Sequence, residues 1–198
     1  MAVTADQVRE LRERTGAGMM ECKKALQESQ GDFERAIEAL RKGGIARAAS
    51  RAGRAASEGV VEAYIHPGNR VGVLIEVNCE TDFVARTDEF RELVRNLAMQ
   101  VAAAGAEFVR REDVPAERVE GERAILKSQT EGQGKPAAIL DKIVTGKLEK
   151  FYSEICLLEQ PYIRDDKTTV GDLVRHASAK TGENIQVRRF ARYRLGQE

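Results

Sequence analysis

Between Val71 and Asn78 the apolar residues fall at every second position, Val71, Val73, Ile75 and Val77. That is the spacing of a strand that buries one face. The alternation stops at Glu80-Thr81-Asp82, three polar residues that cannot continue a buried strand. Thr81 or Asp82 carries the short oxygen-bearing side chain that caps a helix start. Helix-period stretches lie on both sides of this run, so the chain combines strands and helices in separate blocks, the pattern of an α+β protein. Phe83 and Val84 follow the cap at once, which offers a large apolar side chain at an element end, framed by carboxylates. Burial preferences favour folding it back onto the core. The other reading is a wedge that enters a partner's pocket.

Residues 1–43 read as three short helices. Thr4 or Asp6 caps the first, with Val8 and Leu11 on one face, and Thr15-Gly16-Ala17-Gly18 breaks it. Met19 to Gln30 is the second, with Cys22, Ala25 and Leu26 at helical spacing. Gly31 ends it, Asp32 caps the third, and Phe33, Ala36, Ile37 and Leu40 form its apolar stripe. A module this small has a marginal core by itself.

Gly43-Gly44 marks a break, and residues 44–57 read as a basic linker helix. It carries Arg47, Arg51 and Arg54, with no acid between Glu38 and Glu58. Such a segment is either a solvated linker or an RNA-binding arm, and the lack of an interleaved aromatic to stack bases favours the linker.

Residues 58–198 read as a core domain with a mainly antiparallel sheet, flanking helices and a helical hairpin. Val60 to His66 and Val71 to Asn78 form a hairpin around His66-Pro67-Gly68-Asn69, where Pro then Gly suits a type II turn. Thr87-Asp88-Glu89-Phe90 opens a helix whose buried face is Phe90, Leu93, Val94, Leu97, Ala98 and Val101, and Gly105 ends it. Phe108-Val109 suggests a short strand. Pro115 enters a charged helix over 116–129, Gly132 to Pro136 is a turn, and 137–159 is a second helix, so residues of about 115–160 form an antiparallel pair. A last helix spans about Thr169 to Lys180, and 184–194 is a final strand. Its Arg188, Arg189, Arg192 and Arg194 are either an edge kept soluble by charge or a partner surface.

Charge and motifs narrow the chemistry. Lys plus Arg and Asp plus Glu both number 32, for zero formal net charge, which argues against broad nucleic-acid binding. Cys22, Cys79 and Cys156 form no C-x-x-C pair, so buried free thiols in a reducing compartment are expected. Gly134-Lys135 runs into Pro136, and Gly146-Lys147 lacks an upstream glycine, so no phosphate-cradling loop is present and the chain should not itself bind nucleotide. His66 and His176 are the only histidines and stand in no metal-ligand spacing. No cofactor, metal site or catalytic residue set is expected, and the chain reads as an interaction protein rather than an enzyme. With no 18-residue apolar run and no leader-like start, a cytoplasmic location without membrane or DNA contact is expected.

Two longer motifs carry more. Leu11-Arg12-Glu13-Arg14-Thr15-Gly16-Ala17-Gly18-Met19-Met20-Glu21-Cys22-Lys23-Lys24-Ala25-Leu26, together with Glu76-Val77-Asn78-Cys79-Glu80-Thr81-Asp82-Phe83-Val84-Ala85-Arg86, closely resembles bacterial elongation factor Ts of the short form. The likeness continues through Arg70-Val71-Gly72-Val73, Leu158-Glu159-Gln160-Pro161 and Gly182-Glu183-Asn184-Ile185. The resemblance implies a ubiquitin-associated-like fold for the three-helix module. It also implies guanine-nucleotide exchange on the translational GTPase elongation factor Tu. By that likeness Thr81, Asp82, Phe83 and Val84 dislodge Mg2+ in the GTPase, while Arg12, Met19 and Met20 lie against a helix of its GTPase domain. Two adjacent methionines cannot both face a tiny core, so one is expected exposed. Glu21 stands where the family commonly has Asp. Long members carry a duplicated core half, and the short class is expected to replace it by pairing as a non-covalent homodimer. The alternative readings are a ubiquitin-associated-like interaction module for another partner and an RNA-binding protein.

Overall fold

A computed structural model describes residues 3–130 and 136–197, without the side chains of residues 45 and 47–49. The elements in chain order are α1 (Ala5–Thr15), α2 (Met19–Glu28), α3 (Phe33–Arg51), β1 (Glu58–Ile65), β2 (Val71–Cys79), α4 (Asp82–Ala85), α5 (Asp88–Ala104), α6 (Ala116–Thr130), α7 (Ala137–Ile155), β3 (Pro161–Tyr162), β4 (Asp165–Thr169), α8 (Val170–Thr181) and β5 (Gln186–Arg194). The fold is α+β, as the separated periodicities require. It divides into two compact units.

The first unit holds the chain through Gly59, with Asn78–Thr87 and Val174–Gln186. Its amino-terminal part is the three-helix module. Thr4 caps α1 with a reciprocal box, its hydroxyl accepting from the Gln7 N–H while the Gln7 amide oxygen accepts from the Thr4 N–H. Gly16 closes α1 at φ 66°, a left-handed position that glycine adopts without a Cβ penalty. The Glu21 carboxylate accepts from the Gly18 N–H at the start of α2, and the Asp32 carboxylate accepts from the Arg35 N–H at the start of α3. Val8, Leu11, Cys22, Ala25, Leu26 and Ala36 form the buried core, with Phe33, Ile37 and Leu40 packed against it.

The helix does not break at Gly43-Gly44. It runs on to Arg51 as one 19-residue element, where the sequence suggests a boundary. Two glycines weaken a helix, yet Gly44 is buried, and a Cβ there would stand 3.1 Å from the Ala179 Cβ on α8. Close approach to α8 is what this glycine permits.

The second unit holds Val60–Val77, Asp88–Leu173 and the chain from Val187 on. Its sheet has the order β1-β2-β5. His66 donates to the Val71 carbonyl across the hairpin. Gly68 has φ 92° and the Asn69 N–H bonds the His66 carbonyl, the type II turn that Pro67-Gly68 predicts. The Leu195 N–H reaches the Arg70 carbonyl and the Arg189 guanidinium reaches Glu76, so β5 runs antiparallel to β2. Val73, Ile75 and Val77 are buried on one face of β2. Helix α5 supplies the buried row Phe90, Leu93, Val94, Leu97, Ala98 and Val101, the stripe its periodicity predicts.

Helices α6 and α7 form the hairpin, packed through Leu126, Val144 and Leu148. Its connection, expected as a turn, lies outside the described residues. The second helix ends at Ile155, four residues earlier than the apolar stripe suggests, and a 3-10 turn over Leu157–Glu159 replaces its last turn. Phe108 makes an isolated parallel bridge with Cys156 in place of a full strand. The β3–β4 ribbon is not foreshadowed by any alternation. Gln100 is fully buried and fills its amide: it donates to the Gln160 side chain and the Pro161 carbonyl and accepts from the Ile163 N–H, so the ribbon hangs on α5 through one side chain.

Candidate functional site

Strand β2 ends at Cys79, and the chain turns through Glu80-Thr81 into the single turn α4. Thr81 is the cap, its backbone extended and its hydroxyl accepting from the Val84 N–H at 3.4 Å. Phe83 therefore sits in the first turn of a helix too short to have a buried stripe, with Ala85 as its buried residue. The Phe83 ring is 81% exposed. The expectation that it folds back onto the core is overturned: the short helix spends its inward direction on Ala85, which leaves Phe83 facing solvent. Asp82 is half-buried and its carboxylate pairs with Arg86 at 2.8 Å. Val84 is half-buried.

This turn is held from behind by the segment that follows α8. Glu183 accepts three hydrogen bonds: from the N–H groups of Glu80 and Thr81, both at 3.1 Å, and from the Thr81 hydroxyl at 2.5 Å. The contact is returned, since the Glu80 carboxylate accepts from the Asn184 N–H at 2.6 Å. The Asn184 amide donates to the carbonyls of Arg54 and Ala52, and Arg54 approaches the Glu80 carboxylate at 3.6 Å. Burial pushes the Cys79 thiol up to about 11, with the Glu183 charge adding to it, so this sulfur is a proton-bearing packing group and not a nucleophile.

The second candidate surface lies on the three-helix module. Arg12 is exposed on α1. Met19 is 50% exposed and Met20 75% exposed at the first turn of α2. One exposed methionine is expected and both are: the start of α2 turns Cys22, Ala25 and Leu26 inward, which leaves both methionines at the rim.

The arginines are mostly engaged at home. Arg51 donates to the Ser178 carbonyl and Arg54 faces Glu80, while the Arg47 side chain lies outside the described residues. On β5, Arg189 pairs with Glu76 at 2.7 Å and Arg192 donates to the Ala102 carbonyl and the Gln197 side chain. Among the described residues no group of three or more His, Cys, Asp or Glu side chains could hold a metal ion, and no helix is long and apolar enough to cross a membrane.

The sheet has a second apolar face. Val61 and Ile65 on β1, Leu74 on β2, Tyr193 on β5 and Leu195 just beyond it are all exposed. Ile65 and Gly72 lie opposite one another, since a Cβ on Gly72 would stand 3.1 Å from the Ile65 Cδ1. Sequence periodicity shows which face of β2 is core; it does not show that the other face is also apolar.

The described residues thus combine a helical module and an α+β core with a capped, exposed aromatic at the end of the central strand. A family model described as Elongation factor TS matches residues 45–197. The chain is 60% identical over 195 residues to the elongation factor Ts of Carboxydothermus hydrogenoformans, covering 98% of this chain and 90% of that one. It is 62% identical over 195 residues to that of Moorella thermoacetica, covering 98% and 96%, and 59% identical to that of an Anaeromyxobacter species, covering 98% and 89%. The chain belongs to the elongation factor Ts family and is a translation elongation factor.

Proposed function

We propose that this chain is the guanine-nucleotide exchange factor of elongation factor Tu. It binds the GDP-loaded GTPase, dislodges Mg2+ and promotes GDP release so that GTP can bind. A GTPase grips its nucleotide through a phosphate-cradling loop and the metal together. An exchange factor prefers the nucleotide-free form, and by linkage GDP and the factor weaken each other's binding equally. No covalent step is needed, so no catalytic residue set, cofactor or nucleotide site of its own is required, and the work is done in the cytoplasm where the GTPase acts.

The observation that carries this reading is the exposed Phe83 on a capped turn beside Asp82. Burying one Phe is worth roughly 1.5–3 kcal/mol, too little for exchange by itself. Arg12, Met19 and Met20, all exposed on the module, supply the second anchor, flexible thioethers and a cation suiting the side of a helix. Asp82 adds like charge near the phosphates once its pairing with Arg86 gives way. The engagement of Arg51 and Arg54 within the chain speaks against the RNA-binding reading, and a module-only interaction reading leaves Thr81 to Val84 without a use.

The exposed sheet face supports a homodimer. Its occupant is a second copy of this chain: Arg189 pairs with Glu76 within the surface, which leaves aliphatic and aromatic groups to meet their own kind across a two-fold axis. Cys22, Cys79 and Cys156 are all buried and free, which makes the pairing non-covalent.

The test is release of a fluorescent GDP analogue from a bacterial elongation factor Tu. Acceleration by the folded chain supports the exchange reading. No acceleration refutes it.

A further inference from the structure

We propose that Glu183 is a positioning residue for the exchange wedge, acting through Thr81 on the orientation of Phe83. This rests on the exchange reading above. The Glu183 side chain comes from the loop after α8, more than a hundred positions along the chain from the turn it holds. Its two oxygens take every donor that the turn offers on that side. One oxygen accepts from both backbone N–H groups of Glu80 and Thr81; the other accepts from the Thr81 hydroxyl. Donating to Glu183 fixes the Thr81 hydroxyl rotor, and its lone pairs then accept from the Val84 N–H. The helix turn that carries Phe83 is therefore oriented by a relay of Glu183, Thr81 and Val84.

The relay is anchored in turn. The Glu183 N–H bonds the Thr181 hydroxyl, Gly182 closes α8 at φ 77°, and the Asn184 N–H bonds Glu80. Glu183 thus holds the backbone of Glu80 and Thr81 while Glu80 holds that of Asn184, a two-way clasp of charge-assisted bonds between the two segments. An 81% exposed Phe83 receives no orientation from packing. A four-residue helix is too short to hold itself. What orients the wedge before docking is this clasp, and a wedge held in its docking geometry loses less freedom on binding.

The experiment measures GDP release from elongation factor Tu against concentration of the chain, for wild type, Glu183→Ala, Glu183→Gln, Phe83→Ala and the double variant Glu183→Ala/Phe83→Ala. Circular dichroism and thermal midpoints are read on each. Loss of charge-assisted bonds to the turn is expected to lower the maximal release rate of Glu183→Ala roughly ten-fold. The half-saturating concentration stays within about two-fold, because the module still binds. Glu183→Gln keeps an acceptor for the backbone N–H groups but loses the charge, so it should lose about three-fold. In the Phe83→Ala background the same substitution should cost less than about two-fold, since there is no ring left to orient.

A full ten-fold loss in both backgrounds overturns the proposal, because Glu183 then acts on something other than Phe83. Glu183→Ala within about two-fold of wild type also overturns it. Should Glu183→Ala fail to fold, Glu183→Gln with and without Phe83→Ala decides by the same criterion. No acceleration by wild type overturns the exchange reading itself, and the proposal with it.

Discussion

Replacing Phe83 by alanine separates folding from docking. With the ring 81% exposed, about four-fifths of its roughly 1.5–3 kcal/mol burial energy is unrealised in the free chain. Docking would recover ~1.2–2.4 kcal/mol, which is roughly eight- to sixty-fold in an equilibrium or rate. The folded chain loses only the remainder, about 0.3–0.6 kcal/mol, a shift in thermal midpoint of about 1–2 °C. Thr81 keeps its cap and Glu183 its bonds, because none of them involves the ring. The assay is stimulated release of a fluorescent GDP analogue beside a thermal melt of the same sample. A variant that exchanges within about two-fold of wild type, or one that melts more than about 5 °C lower, refutes the reasoning: the first shows that the ring does not act as a wedge, the second that it is structural.

Asp82→Asn should lower the release rate more than the affinity for the GTPase, since like charge near the phosphates matters most as the metal leaves; equal losses would remove that role. Its partly exposed pair with Arg86 contributes little to folding, so the melt should barely move. Leu74→Lys, on the central strand of the exposed sheet face, should weaken self-association at least about ten-fold, read by sedimentation, and an unchanged dimer would place the interface elsewhere. Burial raises the thiols of Cys79 and Cys156 from 9.0 to about 11, with nearby carboxylates adding to it. A group whose folded pKa is raised stabilises the fold below its unfolded pKa and loses that contribution as pH rises through the folded one. Stability to urea should therefore fall between about pH 9 and 11, and thiol reagents at pH 8 should label the native chain far more slowly than the unfolded one.

How much of this was legible depended on range. The β2 alternation, the turn at Pro67-Gly68 and the α5 stripe are local patterns, and each element stands where its residues place it. Gly43-Gly44 misleads because glycine punctuates chains on average, whereas here Gly44 answers to Ala179 on another helix. The β3–β4 ribbon is too short and polar to show a period, and its anchor, Gln100, reads as one polar residue on an apolar helix. Thr81 is visible as a cap from sequence. That the cap is itself held by Glu183 is not, because nothing local joins residues so far apart; Gly182-Glu183-Asn184-Ile185 stands out only through its likeness to the family.

The unbroken α3 changes what the two contact sites can do together. A flexible tether of its length would let the three-helix module wander through a wide range of distances. The part of α3 past Leu40, the last residue packed on the module core, rises about 16 Å as rigid helix, and the Asn184 amide ties down the carbonyls just past its end. On the proposed exchange reading, once either site touches the GTPase the other would arrive at a separation already set, and its binding would be an intramolecular event with a high effective concentration. In avidity terms the helix is a ruler: lengthening it by one residue would rotate the module by about 100° and spoil the match while leaving every contact residue intact.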